Sequence, residues 1–162
     1  MAKRKRMILF ICTGNMCRSP MAEGILREKA EGLDIKVKSA GTWAFDGEQA
    51  SSLSVEILKR EGIDIAGHKT RAITEELLKN SELVFAMEPA HREFIDQHYP
   101  EYVEKTHLLR CFGREGDENC DTTVEDPIGG GPDDYQACYE VIRDEIDRIL
   151  PLLIDNRGDN GR

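Results

Sequence analysis

Residues 7–20 read MILFICTGNMCRSP, and this stretch decides the fold. Residues 7–11 form a short, fully apolar run that ends at a Gly/Asn turn, which predicts a buried β-strand. Ser19 and Pro20 then predict the start of a helix, with Ser19 as the N-cap and Pro20 in the first helical position. A buried strand that leads directly into a helix indicates an α/β protein.

The rest of the chain continues this alternation. Further strands are predicted at residues 35–40, 83–87 and 103–109, and helices at residues 19–31, 50–60, 74–79, 89–98 and 135–153. Such an order favours a mostly parallel sheet with helices on both faces, whose ligands bind beyond the carboxyl ends of the strands. We predict a single domain at residues 7–153, a basic arm at residues 1–6 and a polar tail at residues 154–162.

The charge balance excludes several classes of protein. The 162 residues include 22 basic and 31 acidic side chains, so the formal net charge is −9. An acidic chain is not expected to bind nucleic acid in general. No apolar run approaches the roughly 20 residues that span a bilayer, so we expect no membrane partner.

The cysteines do not suggest a disulfide framework. There are five, at positions 12, 17, 111, 120 and 138, and none forms a C-x-x-C pair. We therefore expect no structural metal and no disulfides. The apolar run after the basic arm is too short for an export signal, so a cytoplasmic location with reduced thiols is predicted.

The first strand–helix turn has the residues of an anion site that carries a nucleophile. Backbone N–H groups at a helix N-terminus attract anions, and Gly14 and Asn15 tolerate the positive φ that a nest of amides needs. Arg18 adds a fork that suits phosphate oxygens. The same field is expected to lower the pKa of Cys12, and Ser19 can hydrogen-bond to its sulfur.

Other interpretations of this turn are weaker. A nucleotide-binding loop would need Gly-Lys-Ser/Thr or three spaced glycines, and neither is present. The alternative for Cys12 is a small buried apolar residue, but the arginine and serine that follow it favour a functional role.

Residues 12–20 resemble the signature C-x-G-N-x-C-R-S-P of low-molecular-weight protein tyrosine phosphatases. Further landmarks of that family follow in order: Ser39-Ala40-Gly41, the segment from His68 to Arg71, and Asp126-Pro127 before the last helix. The resemblance covers residues 7–153. It implies a four-stranded parallel sheet of the flavodoxin-like, three-layer type.

The resemblance also implies a two-step mechanism without metal or cofactor. Cys12 would attack phosphorus to form a phosphocysteine, Arg18 would bind the phosphate, and Asp126 would act as general acid and then base. Thr13, Gly14, Asn15, Met16, Cys17 and Ser19 would complete the phosphate-binding loop. Ser39 and His68 would support that loop.

For the other cysteines and histidines, the sequence is less informative. Cys17 is either a redox partner of Cys12 or a small buried filler. Cys138 lies on the apolar stripe of the last helix and is expected in the core. Cys111 and Cys120 receive no role, and His91, His98 and His107 are expected to be surface or packing residues.

The predicted substrate is phosphotyrosine on a protein. Trp43, with Phe45 as its substitute, and Ile128 are placed at the wall of the cleft. Ile128 follows Asp-Pro in a motif that resembles a bacterial branch of the family, which includes protein arginine phosphatases. Members that act on phosphoarginine carry threonine where this chain has apolar Met16. Phosphoarginine is therefore the alternative, with arsenate reduction and non-catalytic phosphoprotein binding as remote ones. A monomer is expected.

Overall fold

The computed structural model describes residues 4–155 and contains one parallel sheet of four strands in the order β2-β1-β3-β4. The strands are β1 (Arg6–Cys12), β2 (Ile35–Gly41), β3 (Leu83–Ala86) and β4 (Thr106–Leu108). The helices are α1 (Arg18–Lys29), α2 (Ser52–Arg60), α3 (Glu75–Asn80), α4 (Pro89–His98) and α5 (Pro132–Asp155). The predicted fold class is confirmed.

Helices cover both faces of the sheet. Alternate residues of β1 point to opposite faces, so Ile8 and Phe10 join a core with α1, α2 and α5, whereas Leu9 and Ile11 join a second core with α3 and α4. Cys12 belongs to the same core as Ile8 and Phe10, so its side chain lies on the face of the sheet that α1 covers.

Several predicted boundaries are wrong by a few residues. Helix α1 begins at Arg18, with Cys17 rather than Ser19 in the N-cap position. The Ser19 hydroxyl bonds to other side chains of the turn and is not needed as a cap. Strand β4 has three residues, because residues 103–105 form a turn in which Thr106 N donates to the Val103 carbonyl at 3.0 Å.

The predicted basic arm is shorter than the sequence indicated. Arg6 is the first residue of β1, and its guanidinium donates to both carboxylate oxygens of Glu82 at 2.7 and 2.8 Å and to the carbonyl of Leu153 at 2.6 Å. These partners lie far away along the chain, so local sequence did not reveal them. Helix α5 extends to Asp155 into the predicted tail, and residues 1–3 and 156–162 lie outside the described residues.

The loop between β4 and α5 contains a disulfide that the sequence did not predict. Cys111 and Cys120 are bonded to each other, whereas Cys12, Cys17 and Cys138 are free and buried. The expectation that all thiols are reduced is therefore wrong for this pair. The sequence interpretation rested on cysteine number and spacing, and a loop that folds back on itself brings two cysteines together at any spacing.

Membrane-spanning helices and metal-binding clusters are both absent from the part of the chain that the structure describes. In residues 4–155, no helix has the length and apolar character required to cross a membrane. In the same residues, no group of three or more His, Cys, Asp or Glu side chains is arranged to hold a metal ion.

The disulfide predicts the thiol content of the purified protein. Protein unfolded without reductant should expose three reactive thiols, and prior reduction should raise the number to five. Cys120→Ser should expose four without reductant, and its free energy of unfolding should fall by about 2–3 kcal/mol because a closed loop is lost. Five thiols in protein that was never reduced would contradict the bond.

Gly41, at the end of β2, predicts a local limit on side-chain size. A Cβ atom there would overlap the carbonyl oxygen of Thr13 and lie 3.0 Å from the nitrogen of Asn15. Gly41→Ala should therefore lower the free energy of unfolding by about 1–3 kcal/mol in urea denaturation. Gly67→Ala is the control, since a Cβ there meets nothing within 4 Å. Equal stability of the two variants would contradict the close approach.

Candidate active site

The turn between β1 and α1 is held in shape by hydrogen bonds to its carbonyl groups. Four of its carbonyl oxygens are turned outward and accept bonds from neighbouring segments, each 2.9 Å long: Cys12 from Thr42 N, Thr13 from Trp43 N, Asn15 from His68 Nε2 and Met16 from Ser51 N. Since these carbonyl groups point away, the turn can present N–H groups to its centre, as an anion-binding nest requires.

Asn15 fixes the sharpest point of the turn. It is fully buried and has a positive φ of 56°, a conformation that asparagine tolerates better than most residues. Its side-chain amide donates to Ser19 Oγ at 2.8 Å and Ser39 Oγ at 3.0 Å, and its side-chain oxygen accepts from Arg71 N at 3.0 Å. Of the two residues that tolerate a positive φ, Asn15 adopts it and Gly14 does not.

His68 and Ser39 lie where a support for the loop was predicted. The Nε2 atom of His68 bonds to the Asn15 carbonyl, and its Nδ1 atom lies 3.5 Å from the buried carboxylate of Glu23. Ser39 is fully buried near the end of β2 and accepts from the Asn15 amide. Helix α1, strand β2 and the segment after α2 therefore hold one asparagine.

Cys12 lies at the floor of the turn, 3% exposed. Its sulfur is 2.8 Å from the Ser19 hydroxyl oxygen. Because that oxygen already accepts a hydrogen bond from Asn15, the Ser19 proton is free to be donated to the sulfur. The arrangement can stabilise a negative charge on Cys12.

Opposing influences act on the Cys12 thiol. Burial raises its pKa and is the largest influence, whereas hydrogen bonds from the Ser19 side chain and backbone, the charge of Arg18 and the Asn15 backbone lower it. The net effect raises the pKa of Cys12, so the expectation of a lowered pKa was wrong, because it considered the lowering contacts without the cost of burial. The thiolate of Cys12 thus depends on these contacts being kept.

Arg18 is the buried cation of the site, with 2% of its surface exposed. Its guanidinium donates to the Val124 carbonyl at 2.9 Å and lies 3.3 Å from the Glu88 carboxylate and 3.5 Å from the Asp126 carboxylate. A buried charge is stable only when paired, and these groups provide the pairing. The structure thus brings Arg18 and Asp126 together across a wide separation in sequence.

Asp126 sits at the edge of the site with its side chain partly exposed. One of its carboxylate oxygens accepts from Ile128 N at 3.1 Å, which forms a local turn around Pro127, and the other faces Arg18. Val124 donates to the Met87 carbonyl at 2.8 Å and so fixes the segment just before it. The carboxylate is therefore held on both sides.

The three apolar side chains that were predicted to form the substrate wall are exposed. Trp43 is 80% exposed, Phe45 84% and Ile128 65%, which are large values for such residues. Trp43 lines a cleft with Thr13, and Ile128 lines another with Asp126. Met16, by contrast, is half-buried and packs against the main core.

Cys17 lies in the N-cap position of α1 and is buried. Its sulfur is 3.4 Å from the hydroxyl oxygen of Tyr135 on α5. This contact with the last helix adds a packing role to the two interpretations of Cys17. Cys138 is buried in the core, as expected.

His91 and Glu88 belong to the site, although the sequence analysis left them out. His91 is 2% exposed, and its Nε2 atom lies 2.9 Å from the Thr13 hydroxyl and 3.4 Å from Glu88. Burial, together with the charge of Arg18, lowers the pKa of His91 to about 3, so the ring is neutral. Both residues follow the carboxyl end of β3, where ligands of such sheets bind, and this position could have indicated that they belong to the site.

With this geometry described, the chain can be compared with known proteins. Residues 7–157 match the family model described as low molecular weight phosphotyrosine protein phosphatase. A protein-arginine-phosphatase of Geobacillus stearothermophilus is 38% identical over 148 residues, covering 90% of this chain and 95% of that protein.

Two solved structures are also similar. A low molecular weight protein tyrosine phosphatase from T. tengcongensis has 41% identity and a TM-score of 0.82, covering 91% of this chain and 99% of its own. A cysteine-to-serine mutant of the YwlE arginine phosphatase, with a phosphorylated active site serine, has 31% identity and a TM-score of 0.85. The match covers 95% of this chain and 97% of the mutant's chain. The chain therefore belongs to the low molecular weight phosphotyrosine protein phosphatase family, a family of cysteine-dependent phosphatases.

Proposed function

We propose that this phosphatase hydrolyses phosphotyrosine in proteins, with Cys12 as nucleophile, Arg18 as phosphate ligand and Asp126 as general acid and base. One observation carries the proposal: a buried thiol, supported by Ser19 and Arg18, lies in a turn whose Thr13 shares a cleft with exposed Trp43, and exposed Ile128 shares a cleft with Asp126. A recessed nucleophile beside clefts with apolar side chains suits a long aromatic phosphoester better than phosphoserine, whose phosphorus lies close to the backbone.

In the first step, the Cys12 thiolate attacks phosphorus while the bond from phosphorus to the phenolic oxygen breaks. The Arg18 fork and the backbone amides of the turn bind the other phosphate oxygens, where negative charge is concentrated. Protonated Asp126 gives its proton to the leaving oxygen, because a phenolate with a pKa of about 10 leaves less readily. The product is a phosphocysteine.

In the second step, water attacks the phosphocysteine and gives a proton to the Asp126 carboxylate. The bond from sulfur to phosphorus breaks, and the Ser19 hydroxyl donates to the departing Cys12 thiolate. The phosphorylated serine in the YwlE mutant supports a covalent intermediate at this position of the fold. Glu88 and Asp126, which face Arg18, keep the arginine in place between turnovers.

Phosphoarginine is the second candidate substrate. It is favoured by the similarity to an arginine phosphatase and by the carboxylates of Glu88 and Asp126 near the site, which suit a guanidinium group. Met16 argues for the phenyl ring, because a half-buried thioether beside the loop offers no hydrogen bond to a charged group.

The remaining alternatives have less support. Arsenate reduction through Cys111 or Cys120 would need thiols available to Cys12, and these two cysteines are bonded to each other. A non-catalytic binding module would not require the acid at Asp126.

We propose that the protein acts as a monomer in the cytoplasm, on phosphorylated proteins. The Cys111–Cys120 bond is unusual for that compartment, where glutathione and thioredoxin keep most thiols reduced.

The role of Asp126 predicts a dependence on the leaving group. Asp126→Asn should lower kcat for phenyl phosphate by about 10²–10⁴-fold, and by much less for 2,4-dinitrophenyl phosphate, whose anion leaves without a proton. Glu125→Gln, the adjacent exposed carboxylate, is the matched control and should leave both rates nearly unchanged. An equal loss of kcat for both esters in Asp126→Asn would exclude Asp126 as the general acid. A larger loss of kcat in Glu125→Gln would indicate that Glu125 is the general acid instead.

The substrate proposal is tested by kcat/KM on matched peptides that carry phosphotyrosine, phosphoarginine or phosphoserine. The native protein should prefer phosphotyrosine, and Met16→Thr should shift the preference towards phosphoarginine by about tenfold, since a hydroxyl replaces an apolar group. Met16→Leu is the control and should retain the native preference. Faster hydrolysis of phosphoarginine by the native protein would overturn the choice of substrate.

A further inference from the structure

A basic cleft lies along the exposed edge of the sheet, and the proposed mechanism does not use it. Its volume is about 660 Å³, and five cations line it: Arg4, Lys5, Lys36, Lys38 and Arg71. The carboxylates in its lining are Asp46 and Glu76. A local excess of positive charge is notable in a chain whose net charge is −9.

The cations of this cleft are mostly without carboxylate partners. Among residues 4–155, Lys5, Lys36, Lys38 and Arg71 form no salt bridge, whereas Arg6, Arg18, Arg110 and Arg148 all do. Asp46 uses one carboxylate oxygen for the backbone N–H of Ala72. Lys59, Lys69 and Lys79 also form no salt bridge among the described residues, so the cleft is distinguished by the number of unpaired cations that line one place.

The cations also act on one another. The pKa of Lys38 is lowered by burial and then by the nearby charges of Lys36 and Arg71. Repulsion of this kind is unfavourable in the free protein, and an anion placed among the three groups relieves it. The cluster is thus better suited to a ligand than to the folding of the chain alone.

A second cleft, of about 540 Å³, shares Lys5, Lys36, Lys38 and Arg71 with the first. Its carboxylate, Glu23, is already paired with Arg27 at 3.2 Å and with His68 at 3.5 Å. The two clefts flank β2, the outer strand of the sheet. Among the described residues, the outer edge of β2 has one bridge, between Gly41 and Ala72. Ile35, Val37 and Ser39 are buried, so Lys36 and Lys38 carry most of the exposed surface of this strand.

Lysines on an edge strand commonly prevent sheets from associating. That role accounts for Lys36 and Lys38, which lie on β2 itself. It does not account for Arg4 and Lys5, which precede β1, or for Arg71, which follows α2. Cations from separate segments converge on the same edge.

We propose that this edge is a docking site for an acidic segment of the phosphoprotein substrate, bound in an extended conformation along β2. The inference rests on the protein phosphatase function and adds a second point of recognition to it. Negative side chains of the segment would meet the lysines and arginines that line the cleft. An acidic partner matches the charge, and membership of a protein phosphatase family favours a polypeptide over other polyanions.

The register of the sheet sets the spacing between the two recognition points. Cys12 pairs with Gly41, and Lys38 and Lys36 lie three and five residues before Gly41 on β2. At about 3.3 Å per residue, they lie about 10 and 17 Å from the end of the strand. An extended substrate chain needs about six residues to connect the phosphorylated side chain to the edge.

The experiment compares phosphotyrosine peptides that carry four glutamates or four glutamines, six residues before or after the phosphorylated residue. At low ionic strength, the glutamate tract on one side should lower KM by about fivefold and leave kcat unchanged, and added salt should remove the effect. Lys36→Glu should abolish the difference between glutamate and glutamine peptides, whereas Lys36→Arg should retain it.

Lys59→Glu is the matched control, because it changes an exposed lysine of α2 and alters the net charge equally. It should keep the preference for glutamate. All of these variants should hydrolyse p-nitrophenyl phosphate at the native rate, which separates docking from chemistry. An unphosphorylated peptide with the glutamate tract should inhibit hydrolysis of the tract-bearing substrate but not of p-nitrophenyl phosphate.

The outcomes separate the two proposals. No hydrolysis of any phosphopeptide would overturn the proposed function itself. Hydrolysis with equal KM for glutamate and glutamine peptides would overturn the docking site alone, as would an equal loss of preference in Lys59→Glu. Inhibition of the tract-bearing substrate by a single-stranded oligonucleotide, with none by the glutamate peptide, would overturn it in favour of a nucleic acid.

Discussion

The side-chain amide of Asn15 is the constraint on which the rest of the site depends. It bonds to Ser19, Ser39 and the backbone of Arg71, and so joins α1, β2 and the segment after α2 to one turn. A left-handed conformation costs an ordinary residue about 1–2 kcal/mol, and these bonds offset that cost. With Asn15 fixed, the Ser19 proton faces Cys12 and the carbonyl groups of the turn face outward.

The sequence was most informative where structure is set by near neighbours. The strand, turn and helix around Cys12 could be predicted because apolar runs, Gly, Asn and Pro act within a few residues. His91 could not be assigned, since its role arises from β3 lying beside β1. The ion pair of Arg6 and the Cys111–Cys120 bond were missed for the same reason. The contact of Ser19 with the Cys12 sulfur was predicted correctly, whereas its role as the N-cap of α1 was wrong.

Two kinds of positive potential coexist in this acidic protein. At Cys12, negative charge is stabilised by a buried guanidinium and fixed amide groups, where water is excluded and salt screens little. Along β2, the lysines are exposed and their long-range attraction is screened by salt. The first arrangement suits chemistry on one group of defined shape, and the second suits weak, reversible association. The net charge alone describes neither.

The partners of Arg18 have a consequence for synthesis of the protein. Arg18 is made before its partners, because Val124 and Asp126 follow it by 106 and 108 residues. Until then the guanidinium lacks these partners, and the central strand lacks its neighbour β3 for much of that time. A nascent chain therefore carries its nucleophile without a finished site, and catalytic competence arises only after residues 124–126 have been made.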